Sequence, residues 1–170
     1  GGINMSEWVK VLYGLVASLA LGFCIGWVVC KGLTILCRKM DRRRTNQFFT
    51  GAEIFGAAAM SFMHGAQDGQ KFIGVLFLGV AFSNGMSSVS GVLIPVWLMV
   101  LCSAVMGIGT SVGGEKIIKA VGMDMVKLEK YQGFSADLSA ALCLLLSSLF
   151  GIPVSTTHTK TSAIMGVGAV

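Results

Sequence analysis

The chain is 170 residues long, 54% hydrophobic and only 12% charged, with a mean hydropathy of +0.78. That balance exceeds what a water-facing surface tolerates, so it excludes an ordinary soluble domain and reads as an integral membrane chain. The net charge of +5 concentrates in Arg38-Lys-Met-Asp-Arg-Arg-Arg44 instead of spreading over a face, which argues against a nucleic-acid surface and for a topological marker.

In chain order, the uncharged run from Val11 to Cys30 is 20 residues, enough at 1.5 Å per residue to cross a hydrocarbon core of about 30 Å. The first span is set at residues 8–37. Gly14, Ser18, Gly22 and Gly26 recur every four residues within it. Glycine is common in membrane helices, yet an unbroken ladder of small residues favours a face where another helix approaches closely. By the positive-inside rule the basic loop 38–47 is cytoplasmic; a lipid headgroup contact there is a further option. Cys24, Cys30, Cys37, Cys102 and Cys143 lie in or beside apolar segments without paired metal-ligand spacing, as buried thiols do. The first apolar run is too long for a signal peptide, position 1 is not methionine, and no flanking charge closes the stretch Ala163 to Val170, so the chain is expected to be a fragment of a longer protein.

Residues 48–82 are expected to form an interrupted span that crosses outward around the polar island His64-Gly-Ala-Gln-Asp-Gly-Gln-Lys71. The uncharged linker 83–91 suits the outer face. A span over 92–108 returns to a cytoplasmic or interfacial segment, 113–131, whose Ile117, Ile118 and Val121 fit a short amphipathic helix. Residues 134–170 then form two short apolar helices around Gly151-Ile-Pro-Val-Ser-Thr-Thr-His158. The first of them is short for a full span, which suggests a re-entrant hairpin entering from the cytoplasmic side with Ser-Thr-Thr at its tip. A kinked single span is the alternative.

Both polar islands carry chemistry. Pro153 removes a backbone donor and stops one helix, while Ser155, Thr156 and Thr157 cap the next and leave free N–H groups at its positive end. Those groups and the hydroxyls form a neutral cradle for a tetrahedral oxyanion. Hydroxyls that merely bond the i−4 carbonyl are the competing account, and the abrupt Gly-Ile-Pro break favours the cradle. Asp68 is a carboxylate at membrane depth, where a functional role or an ion partner is the default. Gln67 offers a carbonyl oxygen beside it, and the two suit Na⁺ or a proton held by Asp68. A purely structural Asp68–Lys71 pair at i, i+3 is the alternative. His64, Gln70, Lys71, Asp137, His158 and Lys160 are supporting or gating candidates, or simply line a watered cavity.

These segments together resemble the inorganic phosphate transporter (PiT) family. The resemblance rests on His64-Gly-Ala-Gln-Asp-Gly-Gln-Lys71 with Gly74, on Gly109-Thr-Ser-Val-Gly-Gly114, and on Pro153-Val-Ser-Thr-Thr-His158 followed by Thr161-Ser-Ala-Ile164 and Gly166-Val-Gly168, in matching order and spacing over most of the chain. It implies an all-α polytopic membrane protein, one half of an inverted-repeat transporter with discontinuous helices and a re-entrant hairpin. This chain is then the second repeat, and the site is shared with a missing N-terminal repeat. The resemblance implies phosphate contact at Ser155, Thr156 and Thr157, and coupling-ion binding at Gln67 and Asp68. Gln67 stands where the family typically has Asn, which displaces the amide oxygen by one methylene and leaves the ion, Na⁺ or H⁺, open.

The expected function is secondary active import of inorganic phosphate by cation-coupled symport through alternating access in the plasma membrane. It is not an enzyme, and needs no cofactor beyond the coupling ion. Its expected partners are phosphate, the cation, the lipid bilayer and the missing repeat, with a homodimer open and no nucleic acid. Independently of the family, importing a dianion against an inside-negative potential costs about 4.6 kcal/mol per 100 mV, which calls for accompanying cations. The alternatives are a sulfate or other oxyanion permease, and a non-transporting scaffold or sensor subunit assembled through the Gly14 to Gly26 ladder. A membrane hydrolase built on His64, Asp68 and His158 around a metal lacks HExxH or comparable spacing.

Overall fold

Within lipid a backbone must satisfy its own polar groups, so apolar runs of this length form helices. The structure is a computed structural model that describes residues 5–85, 93–119 and 128–170. Regular structure among these residues is all helical: α1 (Met5–Cys37), α2 (Arg42–Ser83), α3 (Val96–Lys119), α4 (Lys130–Leu149) and α5 (Thr156–Gly168). Among the described residues, three segments are long and apolar enough to cross a membrane: Trp8–Cys37, Val96–Gly114 and Lys130–Leu149.

Several boundaries differ from expectation. The span expected to be interrupted at the first polar island is unbroken, because α2 runs through it without a turn from Arg42 to Ser83. The island holds glycines but no proline, and a helical glycine costs only about 1 kcal/mol, less than an unsatisfied backbone group costs in lipid. The basic loop is shorter than 38–47, since Asp41 caps α2 and its Oδ1 accepts from the Arg43 amide at 3.3 Å. α3 continues past 108 to Lys119, so the segment expected from 113 begins as its continuation. Residues 86–92 and 120–127, with most of the uncharged linker and the end of the amphipathic stretch, lie outside the described residues. α4 starts at Lys130, ahead of 134, behind a capping box in which Gln132 Oε1 accepts from the Glu129 amide at 2.9 Å. Its 20 residues reach spanning length, contrary to the expectation of a short helix.

α4 and α5 form an antiparallel hairpin, with Ala140 and Ala163 in one core cluster and Ala136 with Ile164 and Val167 in another. α2 lies along α4, adding Met60 to the first cluster, and α3 packs chiefly on α2. The small-residue ladder of α1 lies against α5. A β-carbon on Gly22 would stand 2.9 Å from the Thr159 carbonyl oxygen, and one on Gly26 would stand 2.5 Å from that of Ala163. Cys30 continues this face into the cluster of Ile164 and Val167. The expectation that another helix approaches this face closely therefore holds, and the helix is α5.

The break between α4 and α5 is a Schellman motif. Gly151 takes φ +63°, its amide donates to Ser148 O at 3.2 Å, and the Ile152 amide donates to Ser147 O at 2.9 Å. A β-carbon in the left-handed region costs about 1–2 kcal/mol. Gly151→Ala is expected to lower the thermal midpoint in detergent, with Gly151→Asn lowering it less; equal midpoints for both and wild type would contradict this role.

Candidate functional site

The N-terminus of α5 and the middle of α2 meet. Ser155 caps α5 from extended backbone, its Oγ accepting from the His158 amide at 3.4 Å. Its carbonyl receives the Thr159 hydroxyl at 2.9 Å. Thr156, next in the chain and 3% exposed, donates its hydroxyl to Asp68 Oδ2 at 3.0 Å. Asp68 is further held by Lys71, whose Nζ lies 2.9 Å from Oδ1, and His64 Nε2 lies 3.3 Å from Oδ2. Spacings of four and three residues put His64, Asp68 and Lys71 on one face of α2. Lys71 Nζ also donates to the Val154 carbonyl at 3.2 Å, which ties α2 to the residue before the α5 cap. Asp68, Lys71, Ser155, Thr156 and Thr157 line one cavity of about 470 Å³ whose apolar walls include Val11, Leu15 and Phe72.

Gln67 points elsewhere. It is buried, and its amide nitrogen donates to Leu144 O at 3.0 Å and to Ser148 Oγ at 2.7 Å, fastening α2 to the last turns of α4. With Gln70, Ser147, Ser148 and Gly151 it lines a neighbouring cavity of about 310 Å³. Lys71 and Pro153 border both cavities. The two cavities beside the hairpin tip therefore differ in character: one holds the Asp68 carboxylate, and the other adds amides and hydroxyls beside the shared Lys71.

A sequence profile described as the phosphate transporter family matches residues 35–170. The chain belongs to the phosphate transporter family. It is 34% identical over 167 residues to a Bacillus subtilis (strain 168) protein named probable low-affinity inorganic phosphate transporter, covering 98% of this chain and 50% of that protein. It is 34% identical over 163 residues to a protein of the same name from Mycobacterium bovis (strain ATCC BAA-935 / AF2122/97), covering 94% of this chain and 38% of that one. A Rhizobium meliloti (strain 1021) protein, also so named, is 33% identical over 161 residues, covering 95% of this chain and 48% of that protein. The chain thus spans about half the length, or less, of these curated relatives. No solved structure matches it. Family membership and the three apolar helices make it a membrane protein.

In this phosphate transporter family chain, Asp68 and Thr156 are in direct contact, with Lys71, His64, Ser155 and Thr157 around them. The i, i+3 pair of Asp68 with Lys71 forms, and the carboxylate also reaches the second island. Ser155 and Thr156 cap and bridge, while i−4 bonding is the habit of Ser135, Ser139 and Ser147 in α4. Asp137 and Lys160 pair with each other at 3.5 Å across the hairpin and are not among the residues lining the cavity. Gln70 and His158 are exposed. Sequence reasoning missed Ser148 and the Val154 carbonyl. The hydroxyl pair Ser147-Ser148 immediately before Leu-Phe-Gly-Ile-Pro was the available signal for the first.

Proposed function

We propose that the full-length protein imports inorganic phosphate by cation-coupled symport, with this chain supplying the Ser155, Thr156 and Thr157 donors for the anion and Asp68 as the cation's carboxylate. The observation that carries this reading is the Thr156 to Asp68 hydrogen bond, which brings the N-terminus of α5 and the Asp68 carboxylate to one cavity. The N–H groups and dipole at the start of α5 favour an anion. Neutral donors hold it without the grip of several arginines, which suits a carrier that must release its cargo. Gln67 faces the neighbouring cavity with its amide nitrogen committed to α4, so on this geometry the cation, Na⁺ or H⁺, is held by Asp68. The names of the relatives from Bacillus subtilis and Mycobacterium bovis support inorganic phosphate as substrate.

Alternating access follows as the working mechanism, with this half moving against an inverted partner repeat around a midplane site. Both ends of the α4–α5 hairpin lie on the cytoplasmic side of the plasma membrane with the basic loop, and α4 is long enough to carry the tip across the bilayer. Radiolabelled phosphate uptake by the full-length protein in proteoliposomes, under imposed Na⁺ or proton gradients and with sulfate as competitor, tests the proposal. Gradient-driven uptake that excess sulfate leaves intact is expected. Uptake indifferent to both gradients defeats the symport mechanism, and preferential competition by sulfate changes the substrate.

A further inference from the structure

Taking the symport reading above as its basis, we propose that Lys71 is a phosphate ligand that trades places with the coupling cation on Asp68. Lys71 Nζ bridges Asp68 Oδ1 at 2.9 Å and the Val154 carbonyl at 3.2 Å, and it borders the same cavity as Ser155, Thr156 and Thr157. An anion arriving at those donors meets the Asp68 carboxylate, a charge of like sign that neutral hydroxyls and amides cannot cancel. Lys71 is the positively charged residue among those lining the cavity. Its side chain is 50% exposed against 20% for Asp68. The carboxylate is pinned by Thr156, whereas the ammonium sits on a flexible stem with rotatable donors. The lysine is therefore the partner that can turn.

When phosphate enters, the ammonium turns from Asp68 toward the anion. Asp68 then loses its counter-charge at a depth where an unpaired carboxylate is costly, and Na⁺ or H⁺ takes the vacated position, with Thr156 and His64 still on Oδ2. Anion binding thereby raises cation affinity, and by linkage the cation raises anion affinity to the same degree. Lys71 neutralises one carboxylate with no phosphate bound and one phosphate charge with phosphate bound, so a single cation accompanies each monoanion.

Uptake by the reconstituted full-length protein, measured against phosphate and against the coupling cation, tests this for Lys71→Gln, Lys71→Arg and the double variant Asp68→Asn/Lys71→Gln. Loss of one hydrogen bond to a charged group is expected to raise the phosphate KM of Lys71→Gln about tenfold or more. Less cation should then half-saturate uptake, because the lysine no longer competes for Asp68. Lys71→Arg should recover most of the phosphate affinity, and the double variant should lose cation dependence. In wild type, inorganic phosphate should protect Lys71 from an amine-reactive reagent, a readout that needs no variant to fold. An unchanged phosphate KM or cation requirement in Lys71→Gln, or no protection in wild type, overturns the proposal while leaving the symport reading standing. Failure of wild type to take up phosphate under any gradient overturns both.

Discussion

Thr156→Ala and Asp68→Asn in the full-length protein are each expected to reduce gradient-driven phosphate uptake roughly tenfold to a hundredfold. The scale follows from the loss of a hydrogen bond involving a charged group, about 1.5–3 kcal/mol, where about 1.4 kcal/mol is a factor of ten in affinity. The two variants act on different sides of one bond. Thr156→Ala removes the hydroxyl that pins the Asp68 carboxylate beside the start of α5, so the cation end suffers directly and the anion end through the loosened tip; Thr156→Ser, which keeps the hydroxyl, is expected to retain most of the uptake. Asp68→Asn keeps an acceptor for Thr156 but removes the negative charge that Lys71 and a coupling cation require. Its residual uptake should no longer respond to the cation gradient. Initial rates at matched protein levels, with thermal midpoints measured alongside, separate these effects from misfolding. Uptake unchanged in both variants, with both folded, would remove the two islands from the transport site.

Both islands were legible in the sequence because polar groups and proline at membrane depth are expensive enough to stand out from an apolar background. Their contact was not, since Asp68 and Thr156 lie 88 residues apart and no periodicity links them. The continuity of α2 was hidden by its own composition: Gly65, Gly69 and the polar residues between them look like a break, but without a proline nothing removes the helical hydrogen bonds. Gly151-Ile-Pro153 is a break that the sequence shows, because there the chain needs a left-handed residue that glycine supplies and a following proline that ends the helical pattern. Gln67 reads in the sequence as a carbonyl oxygen beside Asp68, but its attachment to Leu144 and Ser148 depends on where α4 ends, which the sequence located less well than where α5 begins.

Gly166→Val and Gly26→Leu are expected to give the largest losses of folded protein. A β-carbon on Gly166 would collide with the Phe23 carbonyl, and one on Gly14 would collide with the Pro153 carbonyl. These neighbours are main chain, which has no rotamer to change, so the helices themselves must separate. Overpacking typically costs about 1–3 kcal/mol where side chains can give, and more is expected where they cannot. Separation would also part Ser162 from the Leu19 carbonyl it bonds and expose Ser18, which is fully buried. The face on α5 had its own sequence signal: Thr159, Ser162, Ala163 and Gly166 are small and spaced three or four apart, the complement of the Gly14 to Gly26 ladder. Gly32 and Gly51, where an added β-carbon meets nothing within 4 Å, are the controls, since alanine there should be neutral or stabilising by about 0.5–1 kcal/mol. Size-exclusion profiles and thermal midpoints in mild detergent read the difference. Because α1 at Gly14 lies against the Pro153 carbonyl in the turn between α4 and α5, intermediate variants such as Gly14→Ala should also displace the hairpin tip and weaken phosphate uptake before they unfold the bundle. Wild-type stability and uptake in Gly14→Ala would mean that the tip is held from α2 alone, through Asp68 and Lys71.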